Sequence, residues 1–251
     1  MNDAKEFARA TPKNIAVFAS HGGTNLQAII DGCAAKKINA RVCVVISNNR
    51  DAFALQRARD AKIAAVHVAA VPRLVSNDCH ENSNRHHENS RRANEENFSV
   101  SQHAHEKNFL FTNEKKSSVA HEKNFSLAQR TLEILRAHNA EIIFLAGYLK
   151  KIPDEVLAAF DGKIFNIHPS LLPKFGGKGM FGINVHAAVL AARETETGIT
   201  IHRVTAEYDA GDILAQKKVA VHADDTPEIL AARVLAQEHI FLVEFLARLC
   251  E

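Results

Sequence analysis

Asn166 and His168 stand two residues apart in the stretch Ile164-Phe165-Asn166-Ile167-His168-Pro169-Ser170-Leu171-Leu172-Pro173. The stretch starts as a short apolar strand and ends in a loop broken by two prolines. On an extended backbone residues i and i+2 point to the same side. Asn166 then offers amide donors to a carbonyl oxygen. His168, titrating near neutrality, can take or give a proton beside it. A carboxylate is available from the acidic turn Tyr208-Asp209-Ala210-Gly211-Asp212. Near an imidazole, Asp209 would orient the ring and raise its pKa. Oxyanion stabilisation and a proton carrier are the parts an amine needs to attack an acyl carbon. No Gly-x-Ser-x-Gly elbow is present, and no cysteine sits beside a glycine turn with a nearby histidine. These residues favour direct transfer between two bound substrates over a covalent intermediate.

A second cluster, Ser20-His21-Gly22-Gly23-Thr24-Asn25, follows the apolar run Ile15-Ala16-Val17-Phe18-Ala19 and precedes a helical pattern of Leu26, Ala28, Ile29, Ile30 and Cys33. Strand, glycine turn and helix together aim backbone N–H groups at an anion, and the helix dipole favours one there. Thr24 and Asn25 can cap the helix or bind phosphate oxygens. The spacing is neither Gly-x-Gly-x-x-Gly nor a Walker loop. On spacing alone, a turn that binds nothing stays open.

The elements that must position these residues alternate. Strands are predicted at 42–47 and 64–68 around a helix at 52–61, giving βαβαβ and a parallel sheet with right-handed crossovers. A buried strand at 142–147 delivers Tyr148-Leu149-Lys150-Lys151-Ile152-Pro153 to the carboxyl edge, where open α/β sheets bind ligands. Helices follow at 154–160 and 184–192, strands at 200–204 and 213–221, and a long helix from Pro227 to 249. The loop 174–182 is glycine-rich and expected to be mobile. Its two lysines either attract an anion or keep the loop soluble.

Composition sets the outer limits. The chain has 251 residues, 46% hydrophobic and 24% charged, with a net charge of +2, ordinary for a globular protein. Nucleic-acid binding and membrane adhesion are not suggested. The start has no apolar signal-type segment, and Cys33, Cys43, Cys79 and Cys250 make no Cys-x-x-Cys pair. Free thiols in a reducing cytoplasm are expected. Residues 1–13 read as a polar tail and 14–251 as a single domain interrupted at about 74–121 by a polar, low-complexity insert. There His80-Glu81-Asn82-Ser83 recurs as His87-Glu88-Asn89-Ser90, and 104–109 recurs as 120–125. Such short polar units cannot offset the entropy of ordering. Six histidines lie there (His80, His86, His87, His103, His105, His121), but no ligand set repeats at a useful spacing, so no metal site is expected.

As a set, these residues resemble the phosphoribosylglycinamide formyltransferases of purine synthesis over about residues 14–70 and 125–249. Three pieces carry the resemblance: Gly23-Thr24-Asn25-Leu26-Gln27-Ala28-Ile29, the Asn166-to-Pro173 stretch, and Tyr208-Asp209-Ala210-Gly211-Asp212. It implies a Rossmann-like α/β fold, a mostly parallel twisted sheet with helices on both faces. It also implies 10-formyltetrahydrofolate as co-substrate, small-molecule partners only, and a monomer or homodimer. Asn166 would hold the formyl oxygen, His168 would be the general acid, and Asp209 would raise its pKa and order a water. Gly23, Thr24 and Asn25 would bind the phosphate, and Glu238 the ribonucleotide. Leu149, Lys150, Lys151 and Ile152 would bind the pterin, with Thr205, Ala206, Glu207 and Tyr208 closing over it. His202 falls where the family has a histidine near the site, in packing or in a direct role.

The sequence departs from the family in four places. Glu122 falls where a basic folate contact is usual, and Lys151 replaces an apolar neighbour. The 175–182 loop lacks the usual proline and histidines, and the sheet is expected to lack a last strand many members have. Two alternatives remain. One is a formyltetrahydrofolate hydrolase, which typically has a histidine in place of Pro169. The other is a non-catalytic folate- or nucleotide-binding protein.

Overall fold

Alternate side chains of the first strand, β1 (Lys13–Phe18), are buried on opposite faces. Ile15 and Val17 enter one apolar core, Ala16 and Phe18 the other. A strand apolar on both faces needs helices on both, as in parallel α/β sheets. The structure, a computed structural model, describes residues 11–69 and 126–251. After β1 come α1 (Thr24–Ala34), β2 (Ala40–Ser47), α2 (Phe53–Asp60), β3 (Ala64–His67), α3 (Leu127–Ala137), β4 (Ile142–Leu145) and α4 (Asp154–Ala159). They are followed by β5 (Ile164–His168), α5 (Ile183–Ala191), β6 (Glu196–Arg203), β7 (Ile213–Ala220) and α6 (Pro227–Leu249). The described strands form one seven-stranded sheet in the order β3-β2-β1-β4-β5-β6-β7. β1 to β5 run parallel; β6 pairs antiparallel with both β5 and β7.

The chain winds from β1 outward to β3, then returns to β4 on the other side of β1. That reversal opens a crevice at the carboxyl ends of β1 and β4. Helices α1, α2 and α6 cover one face, α3 and α4 the other. The long α6 begins at Thr226, whose hydroxyl accepts the Ile229 N–H, with Pro227 in its first turn. Its buried stripe of Leu230, Val234, Phe241, Leu242 and Phe245 also carries Glu238 inward. No described helix is long and apolar enough to cross a membrane.

Two expectations need correction. β6 starts at Glu196, four residues before the predicted strand. Its polar opening is carried by the antiparallel ladder with β7, which pairs Glu196 with Ala220 and Gly198 with Lys218. At the N-terminus, Lys13 belongs to β1 rather than to a tail, since its N–H donates to the Asn39 carbonyl at 3.1 Å. The insert expected at 74–121, its histidines, Cys79 and Glu122 lie outside the described residues.

Candidate active site

β5 ends at the crevice with Asn166 half-buried and His168 buried, and both side chains meet Asp209. Asp209 reaches inward from the turn after β6 with a left-handed backbone, φ 54, a conformation Asp tolerates better than most residues. Its Oδ2 lies 3.6 Å from His168 Nδ1 and accepts the Gly177 N–H at 2.8 Å. Its Oδ1 lies 3.4 Å from His202 Nε2 and 3.5 Å from Asn166 Nδ2. One carboxylate thus gathers both histidines, the asparagine and the glycine-rich loop.

The acceptors around the rings fix their tautomers. His168 Nε2 is 2.8 Å from the Phe175 carbonyl. A carbonyl only accepts, so Nε2 carries the hydrogen, and Nδ1 is left to exchange a proton beside Asp209. His202 Nδ1 donates to the Arg203 carbonyl at 2.7 Å, so its Nε2 accepts from Asn166 Nδ2 at 3.0 Å. His202 therefore aims the Asn166 amide nitrogen into the cluster.

Burial depresses the His168 pKa, Asp209 and the Phe175 carbonyl oppose that, and His202 adds to it. The expected upward push from Asp209 is present, but the net direction is down. Desolvation of a ring this deep outweighs the carboxylate. Burial pushes the Asp209 carboxyl up. Contact with the His202 ring, the His168 charge and the Gly177 N–H together hold it below the usual carboxylate range. Asp209 is therefore the anion of the cluster and His168 a neutral base near pH 7.

This cluster floors a cavity of about 450 Å³ whose apolar wall includes Leu145, Ile152 and Val204. Every expected folate residue lines it: Leu149, Lys150, Lys151 and Ile152 on one rim, Thr205, Ala206, Glu207 and Tyr208 on the other. The Leu149 N–H donates to Ser20 Oγ at 2.9 Å, tying the β4 edge to β1. Ile152 is buried, while the Lys150 and Lys151 side chains are exposed at the mouth. Of the two loop lysines, Lys174 pairs with Glu194 at 2.8 Å and Lys178 lines the cavity.

Gly23 and Thr24 do not line this cavity. They line an adjoining one of about 480 Å³, walled by 21–25 on one side and 181–184 on the other. Asn25, Gly147, Leu149, Phe181 and Gly182 border both, so the two spaces meet. Neither Thr24 nor Asn25 caps α1. Gly23 is the N-cap, at φ 68 and ψ 34, and no side chain bonds the first turn. Asn25 instead reaches α6, its Nδ2 donating to Glu238 Oε2 at 3.4 Å, while its Oδ1 is buried without a partner among the described residues. Burial drives the Glu238 carboxyl up to about 7, against the Asn25 hydrogen bond.

Two backbone groups in the site were not legible in the sequence: the Phe175 carbonyl and the Gly177 N–H. The glycine run expected to be mobile closes over Asp209 and His168. The only signal for it is Phe175 followed by two glycines, since Phe175 at φ 57 and Gly177 at φ 94 both need left-handed backbone.

Fold and site define a doubly wound α/β protein with a cluster of two histidines, an asparagine and an aspartate at the switch-point crevice, near a glycine turn that opens a helix. The chain belongs to the formyl transferase family, whose model matches residues 13–246. It is 36% identical over 239 residues to the chloroplastic phosphoribosylglycinamide formyltransferase of Arabidopsis thaliana, a match covering 95% of this chain and 66% of that protein. This chain thus spans just under two thirds of that relative's length. It is 30% identical over 226 residues to the phosphoribosylglycinamide formyltransferase of Escherichia coli, covering 90% of this chain and 82% of that one. Among solved structures, glycinamide ribonucleotide transformylase 1 from Symbiobacterium toebii superposes with a TM-score of 0.69 at 30% identity, covering 96% of this chain and 89% of its own.

Proposed function

We propose that this protein transfers the formyl group of 10-formyltetrahydrofolate to the primary amine of glycinamide ribonucleotide, a step of de novo purine synthesis. The observation that carries the reading is the Asp209 carboxylate bridging His168, His202 and Asn166 in one substrate-sized cavity, which adjoins a second at the glycine turn. The folate ring occupies the cavity of 149–152 and 205–208. The ribonucleotide phosphate sits at Gly23, Thr24 and Asn25, with its sugar toward Glu238.

The amine nitrogen attacks the formyl carbon, and the carbonyl oxygen becomes an oxyanion held by the Asn166 amide N–H. The nitrogen, now positively charged, gives its proton to His168 Nδ1. Asp209 stabilises the resulting imidazolium. The imidazolium returns the proton to folate N10 as the carbon–N10 bond breaks, leaving formylated ribonucleotide and tetrahydrofolate. A His168 that starts neutral serves this order, accepting first and acting as general acid second. His202 keeps the Asn166 donor aimed at the oxyanion. Substrates are small molecules, and the three described cysteines, all free thiols, fit a reducing compartment such as the cytoplasm.

His168→Ala and Asn166→Ala are expected to lower kcat by roughly 10²–10⁴-fold, the range for a lost proton carrier or oxyanion donor. Thermal melts should stay close to wild type. Near-normal turnover by His168→Ala would refute the assignment.

A further inference from the structure

The turn that precedes α1 is held from behind by α2. The Ala54 N–H donates to the His21 carbonyl at 3.0 Å. Arg57 Nε donates to the next carbonyl, Gly22, at 2.8 Å. In a trans peptide the carbonyl and the following N–H point in opposite directions. Fixing both carbonyls toward α2 turns the N–H groups of Gly22 and Gly23 away from it, on the side where 21–25 wall the second cavity. Neither N–H donates to an acceptor among the described residues. Gly23 also lies against α2: a Cβ there would come within 2.7 Å of Ala54 Cβ.

Arg57 is itself held in place. Its Nη1 donates to Gln27 Oε1 at 3.1 Å, and Gln27 Nε2 donates to Asp31 Oδ1 at 2.9 Å, which anchors the guanidinium to α1. The guanidinium also stacks over Phe53, 5.0 Å from the ring centroid. Arg57 lines neither cavity, so it meets the turn and not the ligand. A guanidinium here replaces solvent at a carbonyl that would otherwise be free to rotate about a Gly-Gly bond, the least restricted link in the chain.

We infer that Arg57 is a positioning residue for phosphate binding. It locks the Gly22–Gly23 peptide so that its N–H faces the anion, and it acts through the backbone rather than by touching substrate. The inference rests on the proposed placement of the ribonucleotide phosphate at this turn.

Two substitutions separate a lock from a distant positive charge. Arg57→Gln places a donor nitrogen where Nε stands and removes the charge. Arg57→Met keeps the length and removes both. KM for glycinamide ribonucleotide, KM for 10-formyltetrahydrofolate and kcat are measured for each, with titration of ribose 5-phosphate by calorimetry. Arg57→Met is expected to raise the ribonucleotide KM and weaken ribose 5-phosphate about tenfold, the scale of one charge-assisted hydrogen bond. The folate KM and kcat should change less than about twofold, and Arg57→Gln should recover the ribonucleotide KM to within about threefold, since the bond is retained. An unchanged ribonucleotide KM in Arg57→Met overturns the inference. So does Arg57→Gln as weak as Arg57→Met, or a fall confined to kcat. A wild type that binds ribose 5-phosphate with this same variant pattern, yet formylates no ribonucleotide, supports the inference and overturns the substrate reading. A wild type that binds no ribose 5-phosphate overturns both.

Discussion

Asp209 gives each carboxylate oxygen two partners, and this decides what its neighbours can do. Oδ2 takes the Gly177 N–H and faces His168 Nδ1; Oδ1 faces His202 and Asn166. Asp209→Asn replaces an acceptor-only group with an amide that cannot stabilise the imidazolium, so kcat should fall by about 10²–10⁴-fold with substrate KM values little changed. The depressed His168 pKa also sets the pH profile. A neutral base is required at the start, so kcat/KM should rise with pH through a limb below 6.5, the ordinary histidine value, and level off toward neutrality. A rate that instead falls as pH rises through that window would mean His168 must start protonated. The same sign applies to stability: the contribution of neutral His168 is present above 6.5 and is lost as pH falls toward the folded pKa. Glu238 titrates in the opposite sense. Its folded pKa of about 7 stands above the usual 4.5, so its burial weakens the fold as pH rises from 4.5 through 7. Glu238→Gln should gain stability over wild type across that interval, on the order of 3 kcal/mol by pH 8 and little at pH 4.5. Thermal melts at the two pH values check it, and a constant difference would contradict it. Asn166 and His168 were legible as a pair because residue type and two-residue spacing carry the information, and Asp209 was legible only as a carboxylate in an acidic turn. The Phe175 carbonyl and Gly177 N–H were not, since every residue has those groups and only the fold selects which ones count.

At the scale of elements, the sheet presents side chains and the connections aim them. The turn from β6 to β7 puts Asp209 in place, and it closes where the Arg203 N–H donates to the Asp212 carbonyl at 2.9 Å. Gly211 lies so close beneath that turn that a Cβ would run into the Arg203 carbonyl. Gly211→Ala should therefore displace the turn, with activity falling at least about tenfold and stability by about 1–3 kcal/mol, the usual size of a backbone clash. Activity assays paired with denaturant melts check it; wild-type turnover would show that the turn tolerates the shift. The parallel half of the sheet was readable from apolar runs alternating with helical periods. The start of β6 was not, because Glu196 and Gly198 read as loop until β7 pairs with them. The start of α1 left two roles open for Thr24 and Asn25, capping or phosphate binding, and the structure removes the cap for a related reason. Thr24 and Asn25 have capping chemistry, but Gly23 in a left-handed conformation takes the position, and Asn25 is drawn to Glu238 on an element 213 residues away in sequence. Local chemistry names the candidates; long-range packing chooses among them.

At the scale of the whole molecule, a crevice at the β1/β4 reversal holds two adjoining cavities, one of them lined by Asn166, His168 and Asp209, an arrangement that suits two substrates reacting directly. In the chain the segment at 74–121 falls between β3 and α3, and it lies outside the described residues. We propose that it is an insert dispensable for chemistry. Replacing it with a short flexible linker should leave kcat within about threefold, because loop length adds little to closure entropy. Loss of activity with an intact fold would show that it contributes to the site. The central claim, direct formyl transfer to an amine, is tested most directly by the fate of a labelled carbon. Purified protein is incubated with 10-formyltetrahydrofolate carrying ¹³C in the formyl group, with and without glycinamide ribonucleotide, and products are read by mass spectrometry and NMR. The account predicts ¹³C-formyl on the ribonucleotide amine, no appreciable labelled formate, and no consumption of folate without the acceptor. Labelled formate released at the same rate whether or not the ribonucleotide is present would make water the acceptor and contradict it.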